Sequence, residues 1–170
     1  SPVCGYCTNV GGTSCPSNTK ITKVTLIGTT LTNSDTLCNS INGSSVSIFP
    51  FGGSTTGTII RGNLYSISVT STQNVSKSVW IDYDQDGYFA ANEYTSICSS
   101  STWGVPDTAV LNIPFGIPAG ATGMRIRTRI NGSPNGAGDA CSFYGSGETE
   151  DYTITVDIGN GIVKNEAVEA

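Results

Sequence analysis

Short runs of β-branched and aromatic residues recur along the chain, separated by Gly, Pro, Asn and Asp. The runs cover residues 21–31, 45–49, 57–60, 64–72, 78–81, 109–114, 124–130 and 152–158. The last is the cleanest. Tyr152, Ile154, Val156 and Ile158 alternate with Thr153, Thr155 and Asp157, as a strand with one dry face requires. Turn chemistry marks the breaks: Asn42-Gly43, Gly52-Gly53, Asn63, Pro118-Ala119-Gly120 and Asn131-Gly132. No helical period of useful length occurs before Gly161. Eight short strands at this spacing predict an all-β fold, an antiparallel β-sandwich of jelly-roll type. Residues 1–158 read as one sandwich domain with an irregular Cys-rich segment at 1–20, and 159–170 as a linker or tail.

Composition adds a compartment. Ser, Thr and Gly are abundant, while charged residues make up only 12%. A net charge of −5 opposes nucleic acid, whose phosphates call for Lys and Arg. No apolar run is long enough to span a bilayer, so no membrane insertion is expected. No signal-peptide pattern opens the sequence, which starts at Ser1 like a processed or excised segment. The six cysteines are Cys4, Cys7, Cys15, Cys38, Cys98 and Cys141. An even count in such a chain suggests disulfides and an oxidising compartment, as in a secreted protein. Zinc at Cys4-Gly5-Tyr6-Cys7 is the weaker reading, because there is no second such pair and no histidine. The expected pairing joins Cys98 to Cys141, leaving the four N-terminal cysteines to one another and no free thiol.

The strongest chemical signal is DYDQDGYFAANE, residues 82–93. It fits the calcium-loop pattern D-x-[DN]-x-[DN]-G-x5-E at every specified position. Asp82, Asp84 and Asp86 alternate along a tight loop, so their carboxylates can converge on one cation. Gly87 permits the turn, Tyr88 supplies a backbone carbonyl, and Glu93 stands where a carboxylate closes the shell. Ca²⁺ suits such a cage of hard oxygens. The loop is EF-hand-like in sequence only. A strand precedes it and no amphipathic helix follows, which points to a structural site rather than a sensor.

Three of the eight cationic residues alternate in Met124-Arg125-Ile126-Arg127-Thr128-Arg129-Ile130. Arg125, Arg127 and Arg129 therefore share one strand face. Stacked guanidiniums need acceptors, and Glu148, Glu150 and Asp151 are the candidates. The alternative is recognition of sulfate or carboxylate groups on a ligand, with Arg127 structural and Arg125 or Arg129 free to bind. Glu148 and Glu150 also have the residue types of a glycosidase pair, but ion pairing or metal ligation explains them better. With no histidine base and no nucleophile motif, no enzyme is expected.

Sugars are bound by aromatic faces. Trp80 falls mid-strand and reads as core. Trp103, in the polar loop after Cys98, and Tyr144, beside Phe143 and Cys141, read as stacking residues, with Tyr88 close enough to join them.

WIDYDQDGYF, MRIRTRI and YGSGETEDYTITV, taken in this order, resemble the GEVED domain of secreted and surface proteins common in Bacteroidetes. The motif itself is Gly147-Glu148-Thr149-Glu150-Asp151-Tyr152, with Thr149 where the family usually has Val. The resemblance covers roughly residues 60–157. It implies an accessory, non-catalytic β-domain tethered to a catalytic or adhesin domain. The function expected first is binding of a polysaccharide, with an anionic one (sulfated or uronic) as the finer expectation, through Trp103, Tyr144, Tyr88, Arg125 and Arg129. The alternative is a calcium-stabilised structural or adhesive spacer of a cell-surface protein.

Overall fold

The computed structural model describes residues 5–12, 19–72 and 74–160. Its strands are β1 (Ile21–Ile27), β2 (Thr32–Asn33), β3 (Val46–Ile48), β4 (Thr58–Ile60), β5 (Leu64–Ser71), β6 (Val75–Ile81), β7 (Tyr94–Cys98), β8 (Asp107–Asn112), β9 (Gly120–Ile130) and β10 (Thr149–Asp157). They form two sheets packed as a sandwich, one in the order β2-β1-β5-β8 and the other β3-β10-β9-β6-β7. The first is antiparallel throughout.

The second sheet is mixed, which corrects the expectation of a purely antiparallel sandwich. β3 and β4 both run parallel to β10 and follow one another along the same edge of it. Thr149 to Asp151 pair with Val46 to Ile48, and Thr155 to Asp157 pair with Thr58 to Ile60. Between them the chain leaves the sheet through Pro50 and a short 3₁₀ turn, Gly53–Thr55, then returns to the same edge. Alternation within each run cannot report direction, because both ladder types share the same period.

The core follows the alternation. Tyr152, Ile154 and Val156 of β10, Met124 and Ile126 of β9, and Val79 and Ile81 of β6 face Val24, Leu26, Ile67, Val69 and Leu111 of the other sheet. β6 is buried along its whole length. On its outer side Trp80 packs with Phe89, Ala140, Tyr6 and Tyr94. A second dry layer therefore lies outside the β10-β9-β6 sheet, formed by residues 5–12, the loop 82–93 and the segment 135–147.

A disulfide between Cys7 and Cys141 ties two pieces of this layer together. Cys38 is also disulfide-bonded, while Cys98 is a free thiol. The expected Cys98–Cys141 bridge and full oxidation are thus corrected. So is pairing confined to the N-terminal four, of which Cys4 and Cys15 lie outside the described residues. The reason is topological. Cys98 sits on β7 opposite Lys77, where its thiol faces the Val75 carbonyl. Cys141 lies over Arg125, next to Cys7.

Candidate metal centre

The loop leaves β6 at Asp82 and enters β7 after a 3₁₀ turn, Ala91–Glu93. Asp82 is fully buried, whereas Asp84 and Asp86 are exposed. One carboxylate oxygen from each lies within 4.8 Å of the others. The loop's own amides hold this arrangement. Asp86 N donates to Asp82 Oδ1 (3.1 Å) and Asp84 Oδ1 (3.2 Å), and Gly87 N donates to Asp82 Oδ2 (3.0 Å). Tyr88 N donates to Asp86 Oδ1 (2.8 Å). Gln85 and Gly87 take positive φ, 59° and 88°, and that wraps the backbone around the carboxylates. Glycine meets this demand at no steric cost.

Glu93 stands apart from the three aspartates. Its Oε1 accepts from Tyr83 N (2.6 Å) and Asp84 N (3.4 Å), and its Oε2 from Ala90 N (2.8 Å). It staples the two ends of the loop. Burial raises its pKa, with the charge of Asp82 adding to the shift. Tyr88 points its ring outward, 72% exposed.

The loop is also fastened to the rest of the fold. Tyr6 donates its hydroxyl proton to Asp82 Oδ2 at 2.5 Å and accepts from Gly123 N at 3.1 Å. The Tyr6 ring stacks on Phe89 with centroids 4.1 Å apart. Thr122 on β9 donates to the Asp82 carbonyl. Tyr6 was not singled out by sequence, although its place next to Cys7 was a hint that the N-terminal segment is pinned somewhere.

The donor set is all hard oxygen. Among the described residues no cationic side chain is paired with Asp82, Asp84, Asp86 or Glu93. The acidic cluster can coordinate a metal ion, and its chemistry fits a hard divalent cation.

The arginine strand is organised differently. Arg125 is fully buried and makes a bidentate pair with Asp151, 2.7 Å to each oxygen. It also donates to the carbonyls of Cys7 and Ala140. Arg127 is buried too, held by Thr149 Oγ1 and the carbonyls of Val10, Asp139, Ala140 and Ser142. Burial and the neighbouring Arg125 lower its pKa to about 10. Arg129 is half-buried with its guanidinium 3.1 Å from the centroid of the Tyr144 ring. Tyr144 is half-buried and forms a bridge with Gly11. Trp103 is 62% exposed at the far end of β7. With Cys141 joined to Cys7, no bridge draws Trp103 towards Tyr144.

Glu148 and Glu150 do not pair with the arginines. β10 aligns Glu150 with Ile126 and Asp151 with Arg125. Directly opposed residues share a face, so Asp151 meets the arginines while Glu148 and Glu150 turn into the sandwich. Glu148 Oε2 accepts from Ile21 N (2.7 Å), and Glu150 Oε2 accepts from Tyr152 Oη (2.6 Å).

Residues 77–155 match the model of the GEVED domain, from inside β6 to near the end of β10. The chain contains a GEVED domain. No curated protein matches the chain. The GEVED match starts later than the resemblance expected, at Lys77. It takes in the aspartate loop, the arginine strand and the acidic motif, but of the β2-β1-β5-β8 sheet only β8. The convergent carboxylates of the loop have the arrangement of a metal cage, and the chain has no histidine. Among the described residues no helix is long and apolar enough to cross a membrane.

Proposed function

We propose that this GEVED domain is a calcium-stabilised structural spacer within a larger bacterial surface or secreted protein. The observation that carries the reading is the way the aspartate loop is tied into the fold. Asp82 is held by Tyr6 of the N-terminal segment, and its carbonyl by Thr122 of β9. A Ca²⁺ ion among Asp82, Asp84 and Asp86 would offset their mutual repulsion and clamp β6, β9 and the outer layer together. The tying of Arg125 and Arg127 into internal bonds supports the same reading, since both are consumed by the fold. Ca²⁺ that binds only the folded state adds stability with its free concentration, about 2.7 kcal/mol at 100 times its dissociation constant. The melting temperature should therefore fall in chelator and recover with Ca²⁺, and Asp84→Ala should lose most of that response. A wild-type melting curve unchanged after verified removal of the ion would overturn the proposal.

A second reading, binding of a polysaccharide to target an attached enzyme or adhesin, rests on the exposure of Trp103 and Tyr88. Gel-shift assays against neutral and sulfated polymers decide between the two. A retardation lost in Trp103→Ala favours the polysaccharide, and none with any polymer favours the spacer.

A further inference from the structure

Two of the three acidic residues of the GEVED motif, Glu148 and Glu150, remain unexplained by the calcium loop and by the arginines. Asp151 is used by Arg125, but Glu148 and Glu150 face the opposite way, into the end of the sandwich. Both are sealed from solvent, 2% and 1% exposed. Each uses one carboxylate oxygen, and the other, Oε1 in both cases, has no hydrogen-bond partner. A buried charge with no partner is among the most costly arrangements a protein can hold. Two other buried ionic groups of the fold are ion-paired: Lys77 reaches Asp107 at 2.8 Å and Arg125 reaches Asp151 at 2.7 Å. Among the described residues no Arg or Lys bonds to Glu148 or Glu150.

The surroundings are acidic and rich in oxygen. Burial raises both carboxyls, the charge of Glu148 adds to the shift of Glu150, and that of Asp35, half-buried beyond β2, adds a little to each, while Lys20 is the cation whose field reaches Glu148. Asn33 of β2 donates to the Tyr152 hydroxyl at 3.0 Å, and that hydroxyl donates to Glu150. Ser47 of β3 lies in register with Glu150 and is buried. The backbone amide of Ile21 fixes Glu148 from β1. β10 and β3 thus bring carboxylate and hydroxyl oxygens, and β1 and β2 the N–H groups of Ile21 and Asn33, to one end of the interior, around two unpartnered carboxylate oxygens.

We propose that Glu148 and Glu150 form a second divalent-cation site, separate from the aspartate loop and of the chemistry Ca²⁺ takes. Two inward carboxylates supply the charge, and the Tyr152 hydroxyl and buried Ser47 bring neutral oxygen to the same end, the ligand type that a six- to eight-fold shell draws on. The site would join the two sheets at the end opposite the β8 strand edge, since β1 and β2 come from one sheet and β3 and β10 from the other. The competing way to remove the charge is a proton, and burial already pushes Glu148 up to about 7.

Counting bound Ca²⁺ by native mass spectrometry and equilibrium dialysis separates these. The wild type should hold two ions per chain. Asp84→Ala, at an exposed position, should keep one. The double variant Glu148→Gln/Glu150→Gln should keep the other. The same count in the double variant as in the wild type overturns the proposal, as does a count of zero in Asp84→Ala. If instead Asp84→Ala leaves the count unchanged while the double variant lowers it by one, the loop reading fails and this one stands. Should the double variant not fold, crystals of the wild type grown with Ca²⁺ decide. An anomalous peak about 2.3–2.6 Å from both Oε1 atoms supports the site, and a water or a bare carboxyl pair there overturns it.

Discussion

Arg125 and Arg129 occupy the same face of one strand and have opposite fates. Arg125 is fully buried and bidentate with Asp151, while Arg129 is half-buried against the Tyr144 ring. Removing Arg125 leaves the Asp151 carboxylate dry and unpaired, which costs roughly 3–5 kcal/mol. Removing Arg129 loses a cation–π contact worth about 0.5–2 kcal/mol. Urea unfolding of Arg125→Gln and Arg129→Gln should therefore show a clearly larger loss for the first, and equal small losses would contradict the pairing. Alternation along 124–130 placed the three arginines on one face. It could not say which acidic residue met them, because that depends on the register of β10, and a slip of one residue exchanges Asp151 for Glu150. The free thiol was hidden for a similar reason, since a cysteine count carries no distances. Burial, with Asp107 adding to it, pushes the Cys98 thiol up to about 11. The thiolate is the nucleophile. Alkylation of Cys98 in the folded protein at pH 8 should be far slower than that of an ordinary thiol, and should climb as pH rises towards 11. A fast rate at pH 8 would show that the thiol is not shielded.

At the scale of elements, the long apolar runs were legible and the edges were not. β5, β9 and β10 fall close to the runs at 64–72, 124–130 and 152–158. β7 was missed, because Tyr94–Cys98 follows directly on the aspartate loop and its polar residues blend into that loop. The run at 21–31 holds only β1, which ends at Ile27; the chain turns at Gly28, and β2, just beyond the run, pairs back on β1. The outer layer carries no periodicity at all; it is recognisable only by what it covers. Gly123 on β9 shows how closely it fits. A methyl group there would lie 2.3 Å from the Tyr6 ring. Gly123→Ala must push residues 5–12 away from Asp82. Overpacking of this kind costs about 1–3 kcal/mol. The melting temperature should fall, and Tyr6→Ala should recover part of the loss by vacating the space. A double variant no more stable than Gly123→Ala alone would place the strain elsewhere.

On the scale of the whole molecule, the disulfide and the metal centre are one mechanical unit. Cys7 and Cys141 are 134 positions apart in sequence, and their bond closes most of the described chain into a loop. Such a crosslink contributes roughly 2–5 kcal/mol. Its neighbours carry that constraint onward. Arg125 donates to the Cys7 carbonyl at 2.6 Å and lies over the Phe89 ring, 5.1 Å from its centroid. Phe89 stacks on Tyr6, and Tyr6 holds Asp82. Breaking the bond frees residues 5–12 to leave, so Asp82 loses its Tyr6 partner and an ordered loop must be formed at the moment of ion binding. Cys7→Ser/Cys141→Ser should therefore weaken Ca²⁺ binding at the aspartate loop as well as lower stability. Calorimetric titration at a temperature where the variant remains folded measures the first effect apart from the second. Tyr6→Phe in the intact disulfide background removes only the hydroxyl contact and should reproduce part of the affinity loss. If the disulfide variant binds Ca²⁺ as tightly as the wild type, the loop is organised by its own amides alone, and the outer layer serves only to cover the arginines.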